Sequence, residues 1–417
     1  MSILALEASI ATISGDIERQ KQVLEGLERN RSLLQRQLND LRDPIARLPL
    51  EISSEIFLLC LPLRISPAID LAPTLFLCIC HTWADVALST PALWAALRIE
   101  FPRANDFEDV VDKWLQRARA HILRISLVGS IDKDVCAVVW RHSGRLQHLS
   151  LNYEFEEIEE MDGELHDLLG RTAPQPMPVL KTLEISGRPD MACSCLQILQ
   201  LLRLSPNLVH LDLDSMSIVD RDQVVEPHVL QNLRFLNFFG DSDTESVDHA
   251  LRLITAPRLE KLHVSLSEQT TFNEDLLPFL QRSAAPIQRL EIMWSDGQRL
   301  DWRLGELLEI VPAVTHLTVW DWHVEQLFSI LAHSPSSLPN LREFRIPWTS
   351  RSTSESSWNV LVHAVSARRR ILRTVHIAVN GGVTINASQE TVASFRGLVE
   401  EGMDIRLGRP NVLDVLQ

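Results

Sequence analysis

The spacing of apolar residues changes twice along this chain of 417 residues. In the first segment, apolar residues recur in alternating steps of three and four, which is the heptad spacing of a helical seam. No proline interrupts this segment before Pro44, so the pattern predicts one continuous helix over residues 1–43, about 60 Å long. The seam consists of Ile3, Leu6, Ile10, Ile13, Ile17, Leu24, Leu27, Leu34, Leu38 and Leu41, with Gln20 and Arg31 at two further seam positions.

This apolar stripe is too narrow for burial in a globular core, so it favours a coiled coil. We take homodimerisation through residues 3–41 as the first hypothesis, with Gln20 and Arg31 setting register or oligomeric state. The alternative is a single helix that folds back on its own chain or lies alone.

Residues 44–100 have the pattern of a small helical module. A first helix is predicted after Pro49, because apolar residues then follow helical spacing until Pro62 stops the helix. Its apolar positions are Ile52, Ile56, Leu59 and Cys60. A second amphipathic helix is predicted over about 74–88, and a short last turn begins at Pro91. The second helix would place Leu75, Ile79, Trp83 and Val86 on one face.

From residue 101 to 417 one pattern, L-x-x-L-x-L, recurs nine times at a spacing of mostly about 25–31 residues. Helical runs lie between the copies, and several end at a proline. Each unit cannot bury its apolar side alone, so the units are expected to stack with parallel strands on the concave face and helices on the convex face. The second apolar positions of the nine copies are Leu149, Leu183, Leu211, Leu236, Leu262, Leu290, Leu317, Phe344 and Val375, with Ile122–Leu127 and Ile405–Leu407 as weaker first and last members.

Residues between the strand leucines are predicted to face outward. They form two columns of mixed charge that are rich in histidine, in which acids, bases and nucleophiles change from copy to copy, so neither column is a catalytic arrangement. Three tryptophans follow successive strands at nearly the same offset, either as an exposed aromatic strip or as loop-packing core. The candidate partner-binding residues are His210, Arg289, Trp294, His316, Trp320, Arg345 and Trp348.

Three polar segments interrupt or follow the repeats. Residues 153–167 are strongly acidic, either as a solvated helix or loop or as an attraction for a basic partner. Residues 349–357 form a Ser/Thr-rich loop where phosphorylation is conceivable but generic. Arg368, Arg369 and Arg370, with Arg373, are interpreted as charges at the end of a helix rather than as a nuclear signal.

Composition excludes several classes of function. A net charge of −15 argues against a nucleic-acid or anionic-membrane binder. The start has no basic region of a signal peptide, and no apolar run reaches about 18 residues. The chain contains no nucleophile elbow, zinc-protease, P-loop or dinucleotide motif, so no catalytic, cofactor or metal site is expected. The cysteines are interpreted as reduced core thiols in the cytoplasm or nucleus: Cys60, Cys78, Cys80, Cys136, Cys193 and Cys195.

The module resembles the F-box in the form common in large fungal families. The matching residues read LP-x-EI-x-x-EIF-x-x-CLP from Leu48, then a C-x-x-W and TP-x-LW segment, with His81 where Arg or Lys is usual. The resemblance implies binding to a Skp-family adaptor and, through it, to a cullin–RING ubiquitin ligase. It assigns the adaptor-facing and module-core positions to Leu48, Pro49, Ile52, Ile56, Phe57, Cys78 and Trp83.

The repeat region resembles a leucine-rich-repeat solenoid with long, irregular repeats. The expected fold is therefore α/β: a helical coiled coil (1–43), a small three-helix F-box (44–100) and a leucine-rich-repeat-like solenoid (101–417). The two resemblances imply a substrate-recognition subunit of an SCF-type E3 ubiquitin ligase that binds a protein substrate on its repeats and has no enzymatic activity of its own. The alternative is a non-degradative protein-binding scaffold built on the same elements.

Overall fold

We analysed a computed structural model of the chain. It describes residues 3–101, 107–153, 175–187, 192–214, 217–219, 226–239, 251–266, 275–294, 304–320, 324–334, 336–348, 355–379 and 388–408. The chain divides into two compact units, residues 1–99 with 109–123 and residues 100–108 with 124–417.

The first unit is mostly helical. The predicted N-terminal helix is confirmed as one continuous helix, and the helix predicted after Pro49 begins at the next residue. The helices are α1 (Ile3–Arg42), α2 (Leu50–Leu59), α3 (Phe76–Ile79), α4 (His81–Ser89) and α5 (Phe107–Arg117), with a 3₁₀ turn at Pro91–Trp94 and strand β1 (Ala96–Glu100) between α4 and α5.

The single helix predicted over 74–88 is wrong in one respect, because it is broken at Cys80. This residue is extended, with φ −155° and ψ 174°, so α3 and α4 are separate helices. The break changes which side chains face inward: Phe76 and Cys80 are buried, whereas Leu75 is exposed. Amphipathic spacing assumes one unbroken helical frame, and that frame ends at Cys80.

Aromatic rings form the core of the first unit. Phe57 of α2 lies 4.3 Å from Phe76 and 4.9 Å from Trp83, measured between ring centroids. Trp94 is fully buried, and its ring meets Trp114 of α5 edge-on at 4.8 Å. The prediction assigned everything after residue 100 to the repeats, but most of α5 belongs to the first unit because Trp114 supplies part of this core.

The second unit is built on a long parallel sheet whose strands follow the order of the chain. From Leu146–Asn152 to Asp404–Gly408, neighbouring strands of this sheet pair in parallel, with register partners at equivalent repeat positions. The sheet strands of this unit are β2 (Leu123–Val128), β3 (Leu146–Asn152), β4 (Thr182–Ser186), β6 (His210–Asp214), β9 (Phe235–Phe239), β11 (Lys261–Leu266), β12 (Arg289–Trp294), β13 (His316–Trp320), β14 (Glu343–Trp348), β15 (Thr374–Val379) and β16 (Asp404–Gly408).

Burial alternates along these strands as the L-x-x-L-x-L pattern predicts. In β4 and β6, the second and third apolar positions are buried and the residues between them are partly exposed. A chain-ordered parallel sheet with intervening helices is compatible with a solenoid-like α/β fold. The sequence did not predict two small parallel pairs, β5 (Ala192–Ser194) with β7 (Ser217–Val219) and β8 (His228–Val229) with β10 (Ile254–Thr255).

Five helices between the strands fall on runs whose spacing predicts a helix, whereas Lys133–Arg141 and Gln389–Glu400 were not predicted. A further run was predicted over 247–254, and no described helix confirms it. There, residues 247–250 lie outside the described part and Ile254 begins β10. Ring packing joins helix to sheet where Phe328 meets Phe344 edge-on at 5.9 Å. The helices of the second unit are α6 (Lys133–Arg141), α7 (Cys195–Leu204), α8 (Leu277–Ser283), α9 (Leu304–Ile310), α10 (Val324–His333), α11 (Glu355–Ala367) and α12 (Gln389–Glu400).

A recurring turn before the strands carries an asparagine that bonds to the preceding repeat. Asn207 donates to the carbonyl of Pro178 at 2.8 Å, and Asn340 donates to that of Pro312 at 3.0 Å. Asn232 donates to the side-chain oxygen of Asn207 at 3.2 Å. The triplets Pro-Asn-Leu and Gln-Asn-Leu mark these turns in the sequence, so the signal was present but was not used in the prediction.

Arg368, predicted to belong to a charge cluster at a helix end, is buried instead. Its guanidinium donates to four carbonyl oxygens of the preceding repeat: Leu331 at 2.8 Å, Ser334 at 2.8 Å, Ser337 at 2.6 Å and Leu338 at 3.0 Å. The guanidinium therefore donates to carbonyls at the C-terminal end of α10 and in the following turn, where a helix leaves backbone acceptors without intrahelical partners. The carbonyls of Ser334 and Leu338 also accept backbone N–H hydrogen bonds. Burial lowers the pKa of Arg368.

Candidate interaction surfaces

Helix α2 has two apolar faces, and only one of them is covered. Ser53 and Phe57, four residues apart, are buried at 1% exposure each. The other face carries Ile52, which is 50% exposed, and Leu59, which is 85% exposed. An exposed apolar stripe on a short helix is typical of a surface that a partner covers.

The structure separates the F-box candidates into surface and core residues. Leu48, Pro49 and Ile52 are exposed, and Ile56 is half-buried beside them on α2. Phe57 is a core residue, and Trp83 packs on it.

Cys78 is exposed in the short helix α3, and its thiol points to the carbonyl of Thr74 at 3.9 Å. His81, the position that departs from the F-box pattern, is exposed at the start of α4.

Helix α1 exposes its heptad seam along the described side chains. Ile10, Ile17, Leu24 and Leu34 are each about half exposed or more. Short-range ion pairs lie along the helix, for example between Arg29 and Glu25 at 3.4 Å. Such exposed ion pairs stabilise a helix only slightly.

The two outward columns of the sheet have the predicted register. His210 pairs with Phe235, Phe235 with Lys261, and Lys261 with Arg289. Arg289 then pairs with His316. These side chains are exposed or half-buried, whereas the alternate positions are buried. Neighbouring residues in a column lie on strands about 4.8 Å apart, so their side chains can touch.

Two glutamates make most of the polar side-chain contacts described in the middle of this face. Glu291 accepts a hydrogen bond from the indole of Trp320 at 2.7 Å and lies 3.4 Å from the Nε2 atom of His263. Glu343 accepts from Arg345 at 2.5 Å and lies 3.3 Å from His316.

A shallow depression of about 200 Å³ lies between these glutamates and is lined by His263, Arg289, Glu291, His316, Glu343 and Arg345, with Leu290, Leu317 and Thr318 at its base. Burial lowers the pKa values of His263 and His316, although Glu291 and Glu343 oppose the shift.

The other end of the face is acidic. Asp212 accepts a hydrogen bond from Asn237 at 2.8 Å. Burial raises the pKa of Asp212 to about 6, with Asp214 and Glu184 adding to the shift and the Asn237 bond opposing it. Aromatic rings separate the two ends: His210 stacks on Phe235 at 4.1 Å, and the Phe235 ring meets His263 at 5.1 Å.

The three tryptophans do not share one register position. Strand pairing aligns Trp320 with Met293 of β12, whereas Trp294 aligns with Leu266 of β11. Trp348 aligns with Val379. In register, Trp294 and Trp348 therefore stand one residue beyond the position of Trp320. The side chains of Trp294 and Trp348 lie outside the described part, so the aromatic strip stays a prediction.

The interpretation of all cysteines as core thiols is only partly correct. Cys80 and Cys136 are buried, but Cys60 and Cys78 are exposed. Burial raises the pKa of Cys136 to about 12, with the charge of Asp132 adding to it. The side chains of Cys193 and Cys195 lie outside the described part.

Two other predicted features also lie outside the described part: the acidic segment after Tyr153 and residues 349–354 of the Ser/Thr-rich loop. In the part that is described, no cluster of three or more His, Cys, Asp or Glu side chains is placed to hold a metal ion. No described helix has the length and apolar character needed to cross a membrane. Compared with models of known protein families and with curated protein sequences, the chain gives no match.

Proposed function

We propose that this protein is the substrate-recognition subunit of an SCF-type E3 ubiquitin ligase. In this proposal residues 44–100 are an F-box that binds a Skp-family adaptor, and the strands after residue 101 are leucine-rich repeats that bind a protein substrate. The ligase would transfer ubiquitin to that substrate by holding it near a charged conjugating enzyme, so this chain contributes proximity rather than chemistry.

The observation that carries the proposal is the uncovered apolar face of α2. The residues that resemble the adaptor-binding motif, Leu48, Pro49 and Ile52, are exposed, while Phe57 and Trp83 of the same motif form the core. Leu48 and Ile52 are 40% and 50% exposed, so covering the rest of each side chain would gain about 1 kcal/mol, roughly half of the value for a fully exposed one. A helix that exposes them is therefore suited to a partner.

The second element of the proposal is a homodimer through α1. Its seam is exposed over residues 10–38. Two copies joined in this way would present two sheet surfaces to one substrate and raise its apparent affinity.

The adaptor proposal is tested by co-purification of the full chain with a Skp-family adaptor. The triple variant Leu48→Ala, Pro49→Ala, Ile52→Ala should lower adaptor affinity at least 100-fold, since truncation of central apolar anchors costs about 2 kcal/mol or more each. Val110→Ala, an exposed apolar residue of α5, is the matched control and should bind like the wild type.

A folded wild-type chain that binds no adaptor would refute the ligase proposal. If the adaptor binds but the levels of co-purifying partners stay unchanged in cells that carry the triple variant, the non-degradative scaffold is the better description.

A further inference from the structure

The outward face of the sheet contains an adjacent pair of cations that form no ion pair with any described residue. Lys261 of β11 and Arg289 of β12 are register partners, and both are exposed. Among the described residues, neither makes an ion pair. Like charges opposite each other on neighbouring strands destabilise a sheet. Repulsion between Lys261 and Arg289 therefore destabilises the pairing of β11 with β12 in the isolated protein.

The nearby carboxylates only partly balance these cations. Glu343 forms an ion pair with Arg345, whereas Glu291 lies beside His263, which is charged only when protonated. The three cations Lys261, Arg289 and Arg345 stand against two glutamates, so the region has one excess positive charge, and Lys261 and Arg289 are the cations without an ion pair. The two cations also affect the imidazole of His263. Burial lowers the pKa of His263, and the positive charges of Lys261 and Arg289 lower it further, whereas Glu291 raises it.

We propose that Lys261 and Arg289 bind the carboxylate of an Asp or Glu residue in an extended segment of a partner protein. This proposal rests on the sheet being the substrate surface. A carboxylate fits better than a phosphate, because Glu291 and Glu343 line the same depression as Arg289 and would repel a doubly charged group more strongly.

The strand next to Lys261 indicates which second residue the partner segment should carry. Phe235 is the register partner of Lys261, and its half-buried ring is held by stacking on His210 at 4.1 Å. The midpoint between Lys261 and Arg289 lies about one and a half strand spacings from Phe235, or about 7 Å. Two residues of an extended chain cover about the same distance and point to the same side. The partner segment should therefore carry an apolar residue two positions from its acidic residue.

The test measures binding of the full chain to arrayed octapeptides with a fixed central pattern in otherwise random sequence. The four patterns are Leu-x-Glu, Leu-x-Gln, Ala-x-Glu and Leu-x-phosphoserine. We expect at least ten-fold stronger binding to Leu-x-Glu than to Leu-x-Gln, and weaker binding to Ala-x-Glu. The double variant Lys261→Gln, Arg289→Gln should reduce Leu-x-Glu binding to the Leu-x-Gln level.

Arg203→Gln, an exposed arginine of α7, is the matched change of charge and should keep the preference. Equal binding of Glu and Gln peptides, a preference that survives the double variant, or stronger binding of phosphoserine than Glu peptides would overturn the inference. Thermal unfolding of the variants at or above the temperature of the wild type excludes misfolding as the cause. Adaptor binding, measured on the same samples, separates the two proposals, since adaptor bound without any preference for Glu refutes only this site.

Discussion

The buried guanidinium of Arg368 offers the sharpest test of how neighbouring repeats are held together. Arg368→Met keeps a long apolar side chain but removes all four hydrogen bonds to the carbonyls in the last turn of α10 and after it. Arg368→Lys keeps the charge but replaces the planar fork by a single ammonium, which cannot reach four separated oxygens.

The magnitude follows from the four bonds and the cost of burying the charge. Hydrogen bonds to a charged group contribute about 1.5 kcal/mol each at the lower end of the usual range, or about 6 kcal/mol for the set. Burying the guanidinium costs several kcal/mol, which methionine avoids, so about half of the gain is offset. We expect Arg368→Met to destabilise this region by about 3 kcal/mol and Arg368→Lys by about half as much.

Hydrogen exchange measures this effect locally, because units in a stacked array contact mainly their neighbours. A loss of about 3 kcal/mol should speed exchange in α10 and the turn after it about 100-fold. Arg370→Met, an exposed arginine two residues further along, is the matched control and should change exchange little. Equal exchange in the Arg368→Met and Arg370→Met variants would show that the buried arginine does not stabilise these carbonyls.

Two further predictions concern the acidic end of the sheet and the N-terminal helix. The pKa of Asp212 is raised to about 6 from 3.8, so its ionised form is disfavoured in the folded protein, and its contribution to stability falls as pH rises through 6. Asp212→Asn should therefore raise the melting temperature at pH 7.5 but leave it unchanged near pH 4, and an equal effect at both pH values would contradict the raised pKa. By sedimentation, the wild type should have twice the 47.3 kDa mass of one chain, whereas Leu24→Glu, Leu27→Glu should be monomeric and the control Gln22→Glu dimeric; a monomeric wild type would rule out the dimer.

Local periodicity predicted most of the elements correctly. The heptad spacing identified α1, and the residues after Pro49 identified α2 as a helix from its first residue to its last turn. The strand positions and the two outward columns also followed from the sequence, because a side chain in a strand alternates faces whatever its neighbours are. The candidate residues His210, Arg289 and His316 accordingly lie on one face.

Features that depend on packing or pairing with another segment of the chain, such as the helix break at Cys80, could not be predicted from apolar spacing. The break at Cys80 is a single extended residue, and nothing in the apolar spacing distinguishes it from a helix interior. The three tryptophans have similar offsets in sequence, yet Trp320 aligns with Met293 rather than with Trp294, and only the pairing of β12 with β13 shows this difference of one residue.

The sequence by itself determined which residues form helices and strands and which side of each strand is apolar, since these depend on spacing within one segment. Only the tertiary structure decided which charges are compensated. Arg368 and Arg370 are two residues apart, but one is buried among four carbonyls and the other is exposed. Lys261 and Arg289 are 28 residues apart in sequence and become neighbours only when β11 and β12 pair. Whether a charge is compensated depends on its distance in space from an opposite charge or a hydrogen-bond acceptor, and residues far apart in sequence can be close in space.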